Sequence, residues 1–171
     1  MILPQSHTLT TRHLNRVFDN TVATYKYYWF LGILDACVKQ GKSRINVWDI
    51  MISMVANAWY PVNYFRLSFG KSESLYDAIL TLQREYNIPI NIGINELTEL
   101  LQTLVQRREV RSMLNFLQQN VPFRFLRPWI DTSDDRQTVL RSQTFENGCL
   151  YKLERIDHIW WIELNPVWLP Y

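Results

Sequence analysis

Thr24-Tyr25-Lys26-Tyr27-Tyr28-Trp29-Phe30-Leu31 places five aromatic rings in the six positions from Tyr25 to Phe30, on a helical repeat. A helix this rich in rings is the central rod of a core, or it turns one face to a partner. Val22, Tyr25, Trp29, Ile33 and Ala36 share one face, while Tyr28, Leu31 and Leu34 make the opposite side apolar as well. The helix is therefore expected to be buried on most sides, from a cap at Asn20 or Thr21 to about Gln40, with Gly41 as its stop.

The segments on either side extend the helical reading. Residues 8–19 form a short first helix capped by Thr10 or Thr11, with Leu14, Val17 and Phe18 on one face. Ile45 to Tyr60 reads as a third helix, with Asn46 as N-cap and Pro61 as terminator. Tyr60 to Leu67 follows as a ring-rich connector, and Gly70 and Ser72 mark a break. Glu73 to Tyr86 gives a fourth helix, and Asn95 caps a fifth that runs to about Val105. Glu109 to Gln119 gives a sixth. Pro122 and Pro128 then bracket an extended arm, Phe123-Arg124-Phe125-Leu126-Arg127. Ser133-Asp134-Asp135 caps a seventh helix ending near Phe145, before Asn147-Gly148. From about residue 149 to 164 the periodicity changes to two, which predicts a β-hairpin with one face on the helices. The fold class is thus mainly α, a multi-helix domain with a C-terminal β-hairpin, α+β at the margin. At 171 residues the chain reads as a single helical domain, 1–171. The apolar end, Pro166 to Tyr171, implies that it docks or that the natural chain continues.

Composition narrows the class. Apolar residues make up 47% of the chain and aromatic residues 14%, which suits a real core and not a disordered segment. The rings can also serve an interface, where Trp and Tyr are enriched. A net charge of +2 does not by itself imply nucleic acid. Cys37 and Cys149, far apart in sequence, suggest reduced thiols in a cytoplasmic protein. Neither a secretory leader nor a membrane-spanning run is visible, so no membrane partner is expected.

Catalytic signatures are missing from the sequence. His7, His13 and His158 are scattered, and no Cys-x-x-Cys, Walker, dinucleotide or Gly-x-Ser-x-Gly motif is present. Cys37 reads as a buried, inert thiol and Cys149 as a packed one; a Cys149–His158 pair would span the hairpin. Asp131, Asp134 and Asp135 sit at a helix start, where carboxylates cap free amides. No catalytic residue, metal site or cofactor is assigned to this chain.

The arginines are more suggestive. Between Val105 and Phe145 lie Arg107, Arg108, Arg111, Arg124, Arg127, Arg136 and Arg141, no lysine, and four acids. Arginine contacts phosphate through two donors and stacks on bases, so an Arg–aromatic–Arg arm suits a nucleic-acid backbone. The same residues read equally well as solvated faces and intradomain ion pairs.

An ordered set of motifs points further. Leu14-Asn15-Arg16-Val17-Phe18-Asp19-Asn20 precedes the aromatic helix. Met54-Val55-Ala56-Asn57-Ala58-Trp59-Tyr60-Pro61, Val121-Pro122-Phe123-Arg124-Phe125-Leu126 with Pro128-Trp129, and Phe145-Glu146-Asn147-Gly148-Cys149-Leu150-Tyr151 follow it. Over essentially the whole chain, this succession resembles the N-terminal region of bacterial HNH endonuclease domain-containing proteins. The resemblance implies a non-catalytic module placed before a ββα-metal nuclease domain, with the catalytic His and Asn residues and the divalent metal in that later domain. It further implies a DNA nuclease of restriction or phage defence as the parent. The module would bind or orient DNA through the seven arginines. The alternative is a protein-interaction or dimerisation module working through exposed rings such as Tyr60, Tyr64, Phe65 and Trp168. One exposed arginine patch would favour DNA, and one continuous apolar patch would favour a partner protein or a second copy.

Overall fold

The computed structural model describes residues 10–19, 25–67 and 74–171. Among them the elements are α1 (Arg12–Val17), α2 (Tyr25–Leu34), β1 (Arg44–Asn46), α3 (Val47–Asn63), α4 (Ser74–Glu85), α5 (Ile94–Leu104), α6 (Arg108–Leu126), α7 (Asp135–Ser142), β2 (Tyr151–Ile156) and β3 (Ile159–Leu164). α2 continues into a wide-turn π-helical segment, Asp35–Lys39, and Gly41 ends it at φ +64°. The chain is mainly α with a small antiparallel sheet near its C-terminus, as the periodicity predicts. The expected caps at Asn20 and Thr21 and the break at Gly70 and Ser72 lie outside the described residues.

The central rod is α3, not the aromatic α2. Asn46 accepts the Trp48 N–H at 2.8 Å and starts α3, whose Ile50, Met51, Met54, Val55, Ala58, Trp59 and Val62 are all buried. α2, α4, α5 and α6 pack around it, and β1 and β3 close one end. α2 lies close because Gly32 has no side chain: a Cβ there would meet Ile50 Cγ2 at 2.8 Å. Trp29, Gly32 and Ile33 face inward, whereas Leu31 and Leu34 are exposed, so α2 is half-buried. Its three tyrosines are half-buried against the core.

Two prolines, Pro61 and Pro122, sit inside helices. Pro61 does not terminate α3, which runs on to Asn63, and Pro122 lies within α6, so Phe123 to Leu126 is helical and not an extended arm. A proline inside a helix removes one hydrogen bond and costs about 3 kcal/mol. Here Val121, Phe123, Phe125 and Leu126 become buried at helical spacing, and each apolar side chain taken out of water contributes about 1.5–3 kcal/mol. Two other boundaries differ from the sequence reading. Ile45 belongs to a strand, and Gly93, not Asn95, precedes the first turn of α5.

The hairpin forms where expected. Asp157 and His158, at φ +48° and +66°, make a tight turn whose backbone matches the right-handed twist of the strands. Leu153 opposes Ile162 on the buried face; Lys152 opposes Glu163 on the outer face. β1 adds a third strand against β3, and Arg44 reaches across to Glu154 at 2.6 Å. The terminal segment folds back: Trp168 is buried, and its Nε1–H donates to the Gly148 carbonyl at 2.9 Å. Trp168 is therefore not an exposed ring.

Tyr151 ties these parts together. Its hydroxyl accepts from Trp29 Nε1 (3.2 Å) and donates to the Pro122 carbonyl (2.7 Å), joining α2, α6 and the hairpin. Complete burial raises its phenol well above the ordinary range, so it remains a donor. The Tyr151→Phe variant strands the Trp29 N–H. It should lower the unfolding free energy by about 2–4 kcal/mol in a denaturant titration; a loss under 0.5 kcal/mol would contradict this role.

Candidate nucleic-acid interface

The structure divides the seven arginines. Arg107, Arg108 and Arg111 stand at the start of α6. Arg107 lies over the Tyr86 ring (5.5 Å) and Arg111 over the Trp48 ring (5.5 Å), with Arg111 Nε donating to the Val105 carbonyl at 2.7 Å. Arg108 is exposed beside them. Arg124 and Arg127 stand at the far end of the same helix. Thirteen residues separate Arg111 from Arg124, about 20 Å along the axis at the helical rise. Arg136 is exposed in the first turn of α7, where its backbone N–H donates to Asp134 Oδ1. Arg141 makes a two-point ion pair with Glu146, its Nε donating to Oε2 at 2.7 Å. Those hydrogen bonds raise the arginine further and lower the Glu146 carboxyl.

One cation joins the second group that the arginine count passed over. Lys26, in the first turn of α2, points to the corner where α2 meets the end of α6. Its ammonium donates to the Val17 carbonyl at the end of α1 (3.2 Å). Burial lowers its pKa first, and the charges of Arg127 and then Arg124 lower it further. None of these three cations is ion-paired among the described residues. Phe30 stacks on Phe125 with centroids 6.1 Å apart, and this contact holds the two helices in register. Lys26 carries a clear signal in sequence, a lone charge among five rings, but nothing in the spacing links it to residues a hundred positions away.

A second surface lies at the end of α3. Tyr60 and Tyr64, one turn apart, stack face to face with centroids 4.8 Å apart and planes 8° from parallel. Phe65 stands edge-on to both. The three are 46%, 62% and 60% exposed. Arg66 follows at φ +53°, the left-handed conformation that Gly41 supplies at the end of the α2 segment. For a residue with a side chain this conformation costs on the order of 1 kcal/mol.

Two hollows lie on the surface among the described residues. A polar cleft of about 570 Å³ lies between the π-helical segment, α3 and α5. On its wall Asp35 Oδ2 accepts from Ser53 Oγ (2.9 Å) and Asn57 Nδ2 (3.1 Å), while Oδ1 meets Lys39 Nζ at 2.7 Å. Burial alone would raise the Asp35 carboxyl, but the hydrogen bonds from Lys39, Asn57 and Ser53 outweigh it and hold the group below its ordinary value. The lining contains neither histidine nor cysteine. Its other titratable side chains are Lys39, Lys42, Asp49 and Glu99, of which Lys39 pairs with Asp35. An apolar groove of about 280 Å³ is lined by Phe30, Leu34, Cys37, Leu150, Trp168 and Leu169, among others. Cys37 is half-buried there, not fully enclosed. Cys149 is buried, donates to the Tyr151 carbonyl (3.4 Å), and is pushed up to about 12 by burial. It lies at the opposite end of the hairpin from His158. Among the described residues, no three His, Cys, Asp or Glu side chains gather as metal ligands. No described helix is long and apolar enough to cross a membrane.

No family model, curated protein or solved structure matches this chain.

Two outcomes follow from the thiols and from Asp35. At pH 8 a maleimide should modify Cys37 in the folded protein and reach Cys149 only on unfolding; mass mapping after brief exposure checks this. Asp35 has a lowered folded pKa, so its stabilisation is present above the unfolded value of about 4 and is lost as pH falls through the folded value. The stability gap between wild type and Asp35→Asn should therefore be larger at pH 7 than at pH 3. An equal gap at both pH values would contradict the ionised network.

Proposed function

We propose that this chain is the non-catalytic N-terminal module of an HNH-type DNA endonuclease, and that it holds duplex DNA by phosphate contacts to Lys26, Arg124 and Arg127. The observation that carries the DNA contact is the crowding of these three cations with no ion pair to an acid among the described residues. Packing three like charges at one corner opposes folding; the carbonyl ends of α1 and α6 offset only part of the repulsion. A phosphate arriving there relieves it and exchanges condensed counterions for protein charge. The HNH assignment rests on the ordered motifs, from the aromatic helix to Phe145–Tyr151, that resemble that family.

The chemistry of such a module is positional. Arg124 and Arg127, three residues apart on one helix face, suit successive contacts along a sugar–phosphate backbone. Lys26 supplies a compact charge between them and α1. These contacts favour any duplex, so sequence choice and bond cleavage belong to the remainder of the parent nuclease. In this reading the metal chemistry belongs to that nuclease domain.

Binding of a labelled duplex across a salt series tests the proposal. Each neutralised phosphate contributes about 0.9 to the slope of log affinity against log salt. The Lys26→Ala/Arg124→Ala/Arg127→Ala variant should reduce that slope by about 2–3 and leave the melting temperature unchanged or higher. Arg136→Ala should leave it unaltered. Absence of duplex binding at low salt, or an unchanged slope in the triple variant, would overturn the proposal.

A further inference from the structure

The ring cluster at the end of α3 is built in a way that packing does not require. Tyr60, Tyr64 and Phe65 expose about half or more of their surface while contacting one another, so much of each ring remains in water. The next residue, Arg66, occupies a left-handed position where glycine carries no strain. The same conformation at the end of the α2 segment is indeed taken by glycine, at Gly41. Arg66 is exposed, and no ion-pair partner reaches it among the described residues. The Leu67 N–H closes the turn onto the Pro61 carbonyl at 3.1 Å, so the arginine is held beside the rings and is not on a free tail.

We infer that Tyr60, Tyr64, Phe65 and Arg66 form a stacking platform for the unpaired bases of a single nucleic-acid strand. Flat faces with an adjacent cation match this ligand in both of its parts. An unpaired base offers a π-face to the outer ring, and Arg66 meets the phosphate that joins it to the next nucleotide. A duplex hides those faces in its own stack, so the platform separates unpaired strand from paired DNA. An apolar protein partner would use the rings but gain nothing from a strained arginine that has no ion pair among the described residues. The inference rests on the nucleic-acid reading of the module, yet it uses residues distinct from Lys26, Arg124 and Arg127.

Three probes decide it with the whole chain: a fluorescein-labelled 12-nucleotide oligo-dT, a strand of equal length made of abasic sites, and a 12-base-pair duplex. Wild type should bind oligo-dT more tightly than the abasic strand. Tyr64→Ala/Phe65→Ala should weaken oligo-dT by about tenfold or more, as expected for the loss of one stacked base, and leave the abasic strand unaffected. Arg66→Gly should weaken both strands several-fold while the melting temperature stays level or rises, which separates a lost contact from a lost fold. None of these variants should change duplex affinity. Equal binding of oligo-dT and abasic strand, or oligo-dT affinity that survives removal of the rings, would overturn the platform. If the duplex binds and oligo-dT does not, the platform alone falls; if neither binds, the DNA reading of the module falls as well. A dimer that dissociates in the Tyr64→Ala/Phe65→Ala variant, with no strand binding, would assign the rings to a second copy of the chain instead.

Discussion

The buried hydroxyl of Tyr151 is the joint on which the rest of the molecule turns. It has one acceptor role, toward Trp29 Nε1, and one donor role, toward the Pro122 carbonyl, and both partners lie on helices more than twenty residues away from it. Buried polar groups left unpaired cost more than the bonds themselves contribute. The hydroxyl therefore admits one arrangement of α2, α6 and the hairpin and penalises the others. Around it, Phe125 stacks on Phe30, Trp129 and Tyr151, filling the space that a helix interrupted by proline would otherwise leave poorly packed. Phe18, Phe30, Phe125, Trp129 and Tyr151, from separate segments of the chain, meet around this joint, so what those segments encode most directly is the fold.

The same joint sets the surface charge. Trp29 and Phe30 fix α2 against the second half of α6, and Lys26, one turn earlier, is carried to Arg124 and Arg127. Charges that are neighbours only because of this core are a consequence of tertiary structure. The ion pairs elsewhere show the contrast: Arg141 with Glu146, Arg44 with Glu154 and Lys152 with Glu163 each place an acid opposite a base. Arg107 and Arg111 are drawn onto the Tyr86 and Trp48 rings. Of the seven arginines between Val105 and Phe145, the pair at the end of α6 stands beside a third cation, and none of the three has an ion pair among the described residues.

Periodicity carried most of the architecture. The buried stripes of α3, α4 and α5, the Asn46 cap and the two-residue alternation of the hairpin were all legible, because each is a local pattern with one physical meaning. Proline was not. Its local preference for breaking a helix is real, but at Pro61 and Pro122 burial of the flanking apolar residues outweighs it, and that burial depends on distant partners such as Tyr151 and Trp160. The strand at Arg44–Asn46 is too short to show alternation and exists because β3 pairs with it. The aromatic helix misled in a related way: ring density signals contact with a core, not enclosure within it, and α3 with its smaller side chains is the element that other helices can surround. For the site, arginine number was visible and arginine placement was not, since Lys26 and Arg66 acquire meaning only from the neighbours and the backbone conformation that folding provides.

The most direct test of the account is amide NMR of the labelled chain titrated with a short DNA duplex at low salt. The account predicts that shift changes concentrate at the end of α1, the start of α2 and the end of α6, around Val17, Lys26, Arg124 and Arg127, with the polar cleft at Asp35 and the outer sheet face undisturbed. Changes centred on the Asp35 cleft, or spread evenly over the surface without a focus at that corner, would contradict it.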